Sequence, residues 1–160
     1  MRRSGEVGVK VTDVEVHVSI HDGFVVDTDP SRLDLVAVHE WLSTDTYWAT
    51  GRSLDAVSRA ADASVNFGVY DSDDKQVGYA RVVTDGVTLG WLCDVYIARE
   101  VRGRGIGTAL SKVVVEALRP LGLRRFMLST VDAHEIYAGV GFVPCPDPQK
   151  LMTLDTQGRR

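Results

Sequence analysis

The stretch Val101–Leu110, "VRGRGIGTAL", places Gly103, Gly105 and Gly107 with Arg102 and Arg104 directly ahead of an apolar-periodic run. Glycine tolerates left-handed backbone and lets a ligand approach the main chain without a Cβ in the way. Successive N–H groups in such a turn, followed by a helix N-terminus, present partial positive charge to a phosphate or pyrophosphate. Arg102 and Arg104 would add charge-assisted donors. The plainer reading is a glycine-rich strand-to-helix turn with solvated arginines.

Spacing narrows the chemistry. A P-loop requires a lysine after its last glycine, because that lysine reaches the terminal phosphates. Here Thr108 follows Gly107 directly, and the lysine is missing. A dinucleotide fingerprint requires a small residue three places after its second glycine. Those places hold Thr108 or Leu110. What remains is Arg102-x-x-Gly105-x-Gly107, with Ile106 and Thr108 opening the helix.

Other reactive residue types are scattered. Cys93 and Cys145 form neither a disulfide framework nor a metal set, and no metal is expected. Cys93 lies in an apolar run and reads as a small buried hydrophobe. His17, His21 and His39 show no metal spacing, and His134 reads as an exposed residue of a first helical turn.

The elements that must position the loop follow from periodicity. Residues 14–20 and 24–28 alternate as strands. Ser31 is expected to cap a helix running through "RLDLVAVHEWLS", with Leu35, Val38 and Leu42 on one face. Ser53 caps a second helix carrying Leu54, Val57 and Ala61. Residues 64–71, 76–84 and 89–97 read as an antiparallel meander, with Asp85-Gly86 as a hairpin turn.

The loop then opens a helix to Arg119, whose stripe is Ile106, Leu110, Val113, Val114, Ala117 and Leu118. Pro120 and Gly122 end it. Residues 124–130 return as a strand. Asp132 and Glu135 suggest a capping box for a short helix bearing Tyr137, and "FVPC" a last strand. Residues 1–13 read as a flexible lead-in and 14–155 as a single domain of α+β, or mixed α/β, class.

Composition bounds the rest. A chain of 160 residues with 44% hydrophobic and 25% charged residues is ordinary for one globular domain. A net charge of −4 argues against nonspecific nucleic-acid binding. No run approaches the roughly 18 apolar residues of a membrane span, and no secretory signal is legible. A cytoplasmic setting is therefore expected, with neither nucleic acid nor membrane as partner.

The loop after "CDVYI" resembles the acetyl-CoA pyrophosphate loop of the GNAT superfamily of N-acetyltransferases. A second match lies in "DAHEIYAGVGF", where Ala133, Tyr137, Gly141 and Phe142 hold the places of that family's downstream motif. Together the two motifs cover about residues 89–145, and the helix pair before the meander extends the likeness loosely to residue 24. The resemblance implies a largely antiparallel central sheet flanked by helices, with splayed central strands forming the cofactor cleft.

It also implies roles. Main-chain groups of Val95 and Ile97 would hold pantetheine, and an N–H there would face the thioester oxygen. The backbone from Gly103 to Gly107, with Thr108, would take the pyrophosphate. Tyr137 would be the general acid toward the departing thiolate. Asp94 is the nearest carboxylate for a base, though the pleat sets it with Leu92 and Tyr96, opposite Val95 and Ile97. Its alternative is a structurally bonded strand aspartate.

Where some members hold a water with an acidic residue, this chain has Trp91. Arg99 stands where many have proline, and Thr130 where many have a cofactor-touching asparagine. Trp41, Tyr47 and Trp48, in "EWLSTDTYWATGR", would wall an amine pocket or simply close the core.

Acetyl transfer from acetyl-CoA to a primary amine of a small molecule or peptide, by direct attack in a ternary complex, is the function this implies. A non-catalytic acyl-CoA sensor or interaction module of the same fold is the alternative, and a structural protein without nucleotide ligand is a third reading. A homodimer is among the assembly states left open.

Overall fold

The computed structural model describes residues 11–157. Most of the expected lead-in lies outside them. The strands are β1 (His17–Ser19), β2 (Val25–Asp27), β3 (Val65–Tyr70), β4 (Gln76–Thr84), β5 (Leu89–Ile97) and β6 (Arg125–Leu128). The helices are α1 (Leu35–Asp45), α2 (Leu54–Asp62), α3 (Ile106–Leu118) and α4 (His134–Ala138). The sheet runs β1-β2-β3-β4-β5-β6 in space as in sequence. Every neighbour is antiparallel except β5 and β6, which are parallel. Parallel neighbours need a crossover rather than a hairpin, and α3 supplies it.

The meander strands β4 and β5 fall on the expected residues, since both are apolar runs rich in β-branched and aromatic residues and bounded by turn signals. β4 is buried on both faces over residues 76–80, and β5 alternates buried with less buried positions. Val26, Val38, Phe67, Val69, Ala80, Val82, Leu110 and Val114 are all 0% exposed, which joins β2, β3, β4, α1 and α3 in one core. Of the α3 stripe, Ile106, Leu110, Val114 and Leu118 are buried. Gly122, at φ 62°, closes the turn after it.

Four local expectations change. The first strand shrinks to three residues, and Thr28 takes over beyond it: its Oγ1 accepts the Val16 N–H at 2.8 Å. Ser31 does not cap α1. It lies in a short 3-10 turn, Pro30–Arg32, and Asp34 caps the helix by accepting the Ala37 N–H at 3.0 Å. Gln76 on β4 fixes that cap in turn, its Oε1 accepting the Asp34 N–H at 2.7 Å. That bond spans 42 residues, so no local pattern announces it.

Asp132 does not cap α4, which begins after Ala133 with no side-chain cap; Thr130 Oγ1 instead accepts the Ala133 N–H at 3.1 Å. Residues 142–145 form no strand. Pro144 and Pro146 leave too few N–H donors there for a ladder. Ser53, by contrast, caps α2 as expected, accepting the Ala56 N–H at 3.2 Å.

The two serine and aspartate positions separate cleanly in a stability measurement. Asp34→Ala should cost about 1 kcal/mol in urea unfolding, the usual value of an N-cap. Ser31→Ala should stay within about 0.5 kcal/mol of the wild type.

Candidate functional site

The cleft begins where β5 loses a neighbour. The β5–β6 ladder runs from Leu89↔Arg125 only to Leu92↔Leu128. Beyond Leu92, residues Cys93 to Ile97 keep β4 on one side and, among the described residues, have no strand on the other. The backbone of Val95 and Ile97 therefore lies along an open edge.

A bulge sits in the same segment. Tyr79 pairs with Tyr96 and Arg81 with Cys93, so Asp94 and Val95 together face Ala80. Asp94 takes a left-handed backbone, φ 53°. An extra residue of this kind bends a strand and increases its twist, which turns β5 away from β6. Leu92, Asp94 and Tyr96 are buried, and Val95 and Ile97 half-buried, in the alternation the pleat leads one to expect.

Asp94 is 4% exposed and its carboxylate is surrounded by donors. Arg81 Nε donates to Oδ2 at 2.6 Å, Arg52 Nη1 to the same oxygen at 2.7 Å, and Trp48 Nε1 to Oδ1 at 3.1 Å. Burial alone would raise this carboxyl. The bond and charge of Arg81, with those of Arg52, outweigh it and hold the group below the ordinary carboxylate value. Cys93, beside it, is half-buried rather than fully buried, and burial pushes its thiol up to about 11.

The glycine loop leaves β5 through a 3-10 turn, Arg99–Val101. Gly103 and Gly105 adopt φ of 76° and 74°, the left-handed region where a side chain is strained. Gly105 is the N-cap of α3, and no side chain caps that helix. Its first-turn N–H groups lack intrahelical partners. Among the described residues, no backbone carbonyl accepts the N–H of Gly103, Arg104 or Gly105 either. A Cβ on Gly107 would stand 3.8 Å from Ile97 and 4.0 Å from Ile136, filling the gap between the end of β5 and α4. The loop thus presents a row of free donors beside an open strand edge.

Its arginines point elsewhere. Arg102 Nε donates to the Ile97 carbonyl at 2.8 Å, and Nη2 to Asp45 at 3.1 Å. Arg104 Nη2 donates to Asp22 at 3.2 Å. Asp45, the last residue of α1, also accepts from Arg99 and from the Tyr96 hydroxyl at 2.7 Å. The Arg99 bond, the Tyr96 bond and the nearby arginine charges drive its carboxyl far below the ordinary value. Arg99 is thus half of a tie between α1 and the turn that leads into the loop. No local pattern marks Asp45 or Asp22, since their partners lie 51 to 82 residues away.

Tyr137 lies on α4, half-buried, with its ring edge-on to Phe142 at 6.0 Å. Burial, with smaller contributions from Tyr47 and Asp132, pushes its phenol up to about 12. Its hydroxyl has no hydrogen-bond partner among the described residues. Tyr47, on the α1–α2 connection, packs edge-on against Trp48 at 4.9 Å. Both Tyr47 and Trp48 are substantially exposed. Trp41 instead stacks on Tyr96, with centroids 5.2 Å apart, at a shallow depression of about 340 Å³ that Asp45 and Arg99 also line. Thr130 stands at the turn into α4, its oxygen engaged by Ala133.

Comparison with known proteins agrees with this geometry. The model of the acetyltransferase (GNAT) family matches residues 35–142. A curated candidate acetyltransferase of Gibberella zeae is 35% identical over 133 residues, 71% of this chain and 75% of its own length. A crystal structure of a candidate GNAT-family acetyltransferase from Xanthomonas campestris pv. campestris shares 44% identity at a TM-score of 0.78, covering 83% of this chain and 93% of that one. A spermidine N-acetyltransferase of Vibrio cholerae, in complex with CoA and spermine, has the same fold at 19% identity and a TM-score of 0.63, over 77% of this chain and 82% of that one.

Asp94→Asn should leave two arginines facing a neutral amide and cost about 3 kcal/mol of unfolding free energy near neutral pH. The native carboxyl titrates below its unfolded value of about 3.9. Its contribution is therefore complete above that value and fades as pH falls toward the native pKa. Chemical denaturation between pH 2 and 7 should show a shallower acid limb in the variant than in the wild type.

Proposed function

The chain belongs to the GNAT acetyltransferase family, and from that premise we propose that it moves an acetyl group from acetyl-CoA to a primary amine of a small molecule or peptide. The observation that carries this reading is the row of unaccepted N–H groups from Gly103 to the first turn of α3, set beside the unpaired edge of β5. A pyrophosphate needs such a row, and an extended pantetheine needs such an edge. CoA is also bound by the Vibrio cholerae neighbour.

When bound, acetyl-CoA supplies an activated thioester; everything else falls to the chain. Backbone donors of the loop bind the pyrophosphate without the reorganisation that flexible side chains would require. Arg102 and Arg104 contribute by fixing the loop through Asp45 and Asp22, and only secondarily as charges. Along β5, Val95 and Ile97 orient the pantetheine, and a main-chain N–H there stabilises the carbonyl oxygen as charge grows on it. Thr130 keeps a hydroxyl hydrogen free to donate at the turn into α4.

Tyr137 faces the departing sulfur. A phenol held near 12 keeps its proton throughout the neutral range. An ordinary thiol titrates at about 8.5, so complete transfer from this phenol to the thiolate runs uphill. Tyr137 accordingly donates a hydrogen bond to the sulfur as charge develops there. The proton that balances the released thiol is the one the amine sheds when the new C–N bond forms. Asp94 does not take it: with three donors on its oxygens, that carboxylate serves as the anchor of the bulge. Tyr47 and Trp48 form the near wall for the incoming amine.

The test is thiol release with acetyl-CoA and a panel of primary amines. Tyr137→Phe should lower kcat about 100-fold, the usual scale for losing one hydrogen-bond donor aimed at developing charge, while the Kd for CoA stays within about twofold. CoA should also raise the melting temperature, since a ligand of the native state must stabilise it. CoA binding without thiol release from any amine would sink the enzyme and favour an acyl-CoA-binding module.

A further inference from the structure

The tip of the β1–β2 hairpin lies against the glycine loop, and the acetyl-CoA reading assigns no role to it. The tip is tight: Asp22 and Gly23 both take left-handed φ, 60° and 78°. The Phe24 N–H closes the turn on the His21 carbonyl at 3.3 Å, and the Ile20 N–H donates to the Phe24 carbonyl at 2.8 Å. Two consecutive left-handed residues, the second a glycine, are what a compact hairpin turn demands.

Three contacts run from this turn to a single loop residue. His21 Nε2 lies 2.5 Å from the Arg104 carbonyl. A carbonyl only accepts, so Nε2 carries the hydrogen and donates it. Asp22 Oδ2 accepts from Arg104 Nη2 at 3.2 Å. The Arg104 guanidinium carbon sits 4.8 Å from the centre of the Phe24 ring, which is 3% exposed. One side of Arg104 is therefore held at its backbone and at its side chain together.

Peptide planarity gives the backbone bond its consequence. In a trans peptide the carbonyl and the following N–H point in opposite directions. Fixing the Arg104 carbonyl toward His21 fixes the Gly105 N–H away from the hairpin. That N–H is one of the unaccepted donors of the loop. Gly105 itself, with no Cβ and φ 74°, has a wide choice of backbone states and no means of selecting one.

We infer that His21 is a positioning residue for the glycine loop, holding the Arg104–Gly105 peptide so that its N–H faces the anionic part of the ligand. The inference rests on the acetyl-CoA reading for the identity of that ligand, and on the ligand-free structure for the geometry. His21 itself spends its Nε2 hydrogen on the chain rather than on the ligand.

The experiment compares wild type, His21→Leu and His21→Gln in the full chain. Three measurements apply: amide hydrogen exchange without ligand, CoA affinity by calorimetry, and steady-state kinetics with either acetyl-CoA or S-acetylpantetheine, which lacks the pyrophosphate. His21→Leu should speed exchange at Gly103–Gly107 while leaving the centre of α3 unchanged. It should raise the Kd for CoA and the KM for acetyl-CoA about 5- to 10-fold, the scale of one lost hydrogen bond.

Saturated kcat, the KM for the amine and turnover of S-acetylpantetheine should stay within about twofold. His21→Gln keeps a side-chain N–H donor and should recover most of the affinity. Unchanged CoA affinity in His21→Leu overturns the inference, as does an equal loss with S-acetylpantetheine, which would mean general destabilisation. Failure of the wild type to bind CoA overturns the acetyl-CoA reading and this inference with it, while the exchange data still report whether His21 holds the loop.

Discussion

A carboxylate buried in the middle of a sheet is costly unless its charge is matched and its lone pairs are taken. Asp94 meets both conditions through Arg81, Arg52 and Trp48. Its left-handed backbone forms half of the bulge that turns β5 away from β6. The open edge, the loop that follows it and the approach of α4 all depend on that divergence. The partners come from β4 and from the connection between α1 and α2, so the anchor also ties the wall carrying Tyr47 and Trp48 to the floor of the cleft. An asparagine could keep the backbone shape, but it would leave two guanidiniums without a counter-charge.

Much of the fold is legible in the sequence because it is local. Apolar, β-branched runs bounded by turn signals specify β4 and β5, and Ser53 ahead of Leu54 and Val57 marks α2. The glycine loop and the α3 stripe are visible for the same reason. The errors share a cause as well. Asp34 wins the α1 cap over Ser31 because Gln76, across the sheet, holds its N–H. Thr130, rather than Asp132, meets the start of α4. In each case more than one nearby residue could satisfy the local rule; a contact 42 residues away decides at α1, whereas at α4 the deciding bond is itself local.

The site shows the same division. Of its backbone elements, the glycines Gly103 to Gly107 stand out by spacing and Val95 and Ile97 only through the family resemblance; the structure sets Gly107 close to Ile97. The state of its charged residues does not follow. From the sequence, Arg102 and Arg104 read as donors to phosphate, yet Asp45 and Asp22 accept from both. From the sequence Asp94 reads as a candidate base, yet both its oxygens already accept from Arg81, Arg52 or Trp48. A charge can be counted in a sequence, but which opposite charge claims it depends on chain segments tens of residues away.

The segment that matches the family begins at Leu35, whereas the hairpin tip that grips Arg104 lies at His21–Phe24. The hairpin and the matched segment share one sheet and one core, and they meet again at the loop. The matched segment carries the cleft and its donors, and a stretch ahead of it bears on how stiffly one of those donors is held. Sequence drift in that leading hairpin could retune affinity for the shared co-substrate while leaving every residue of the matched motif in place. Trimming the chain to the matched segment would keep the motif and discard that adjustment.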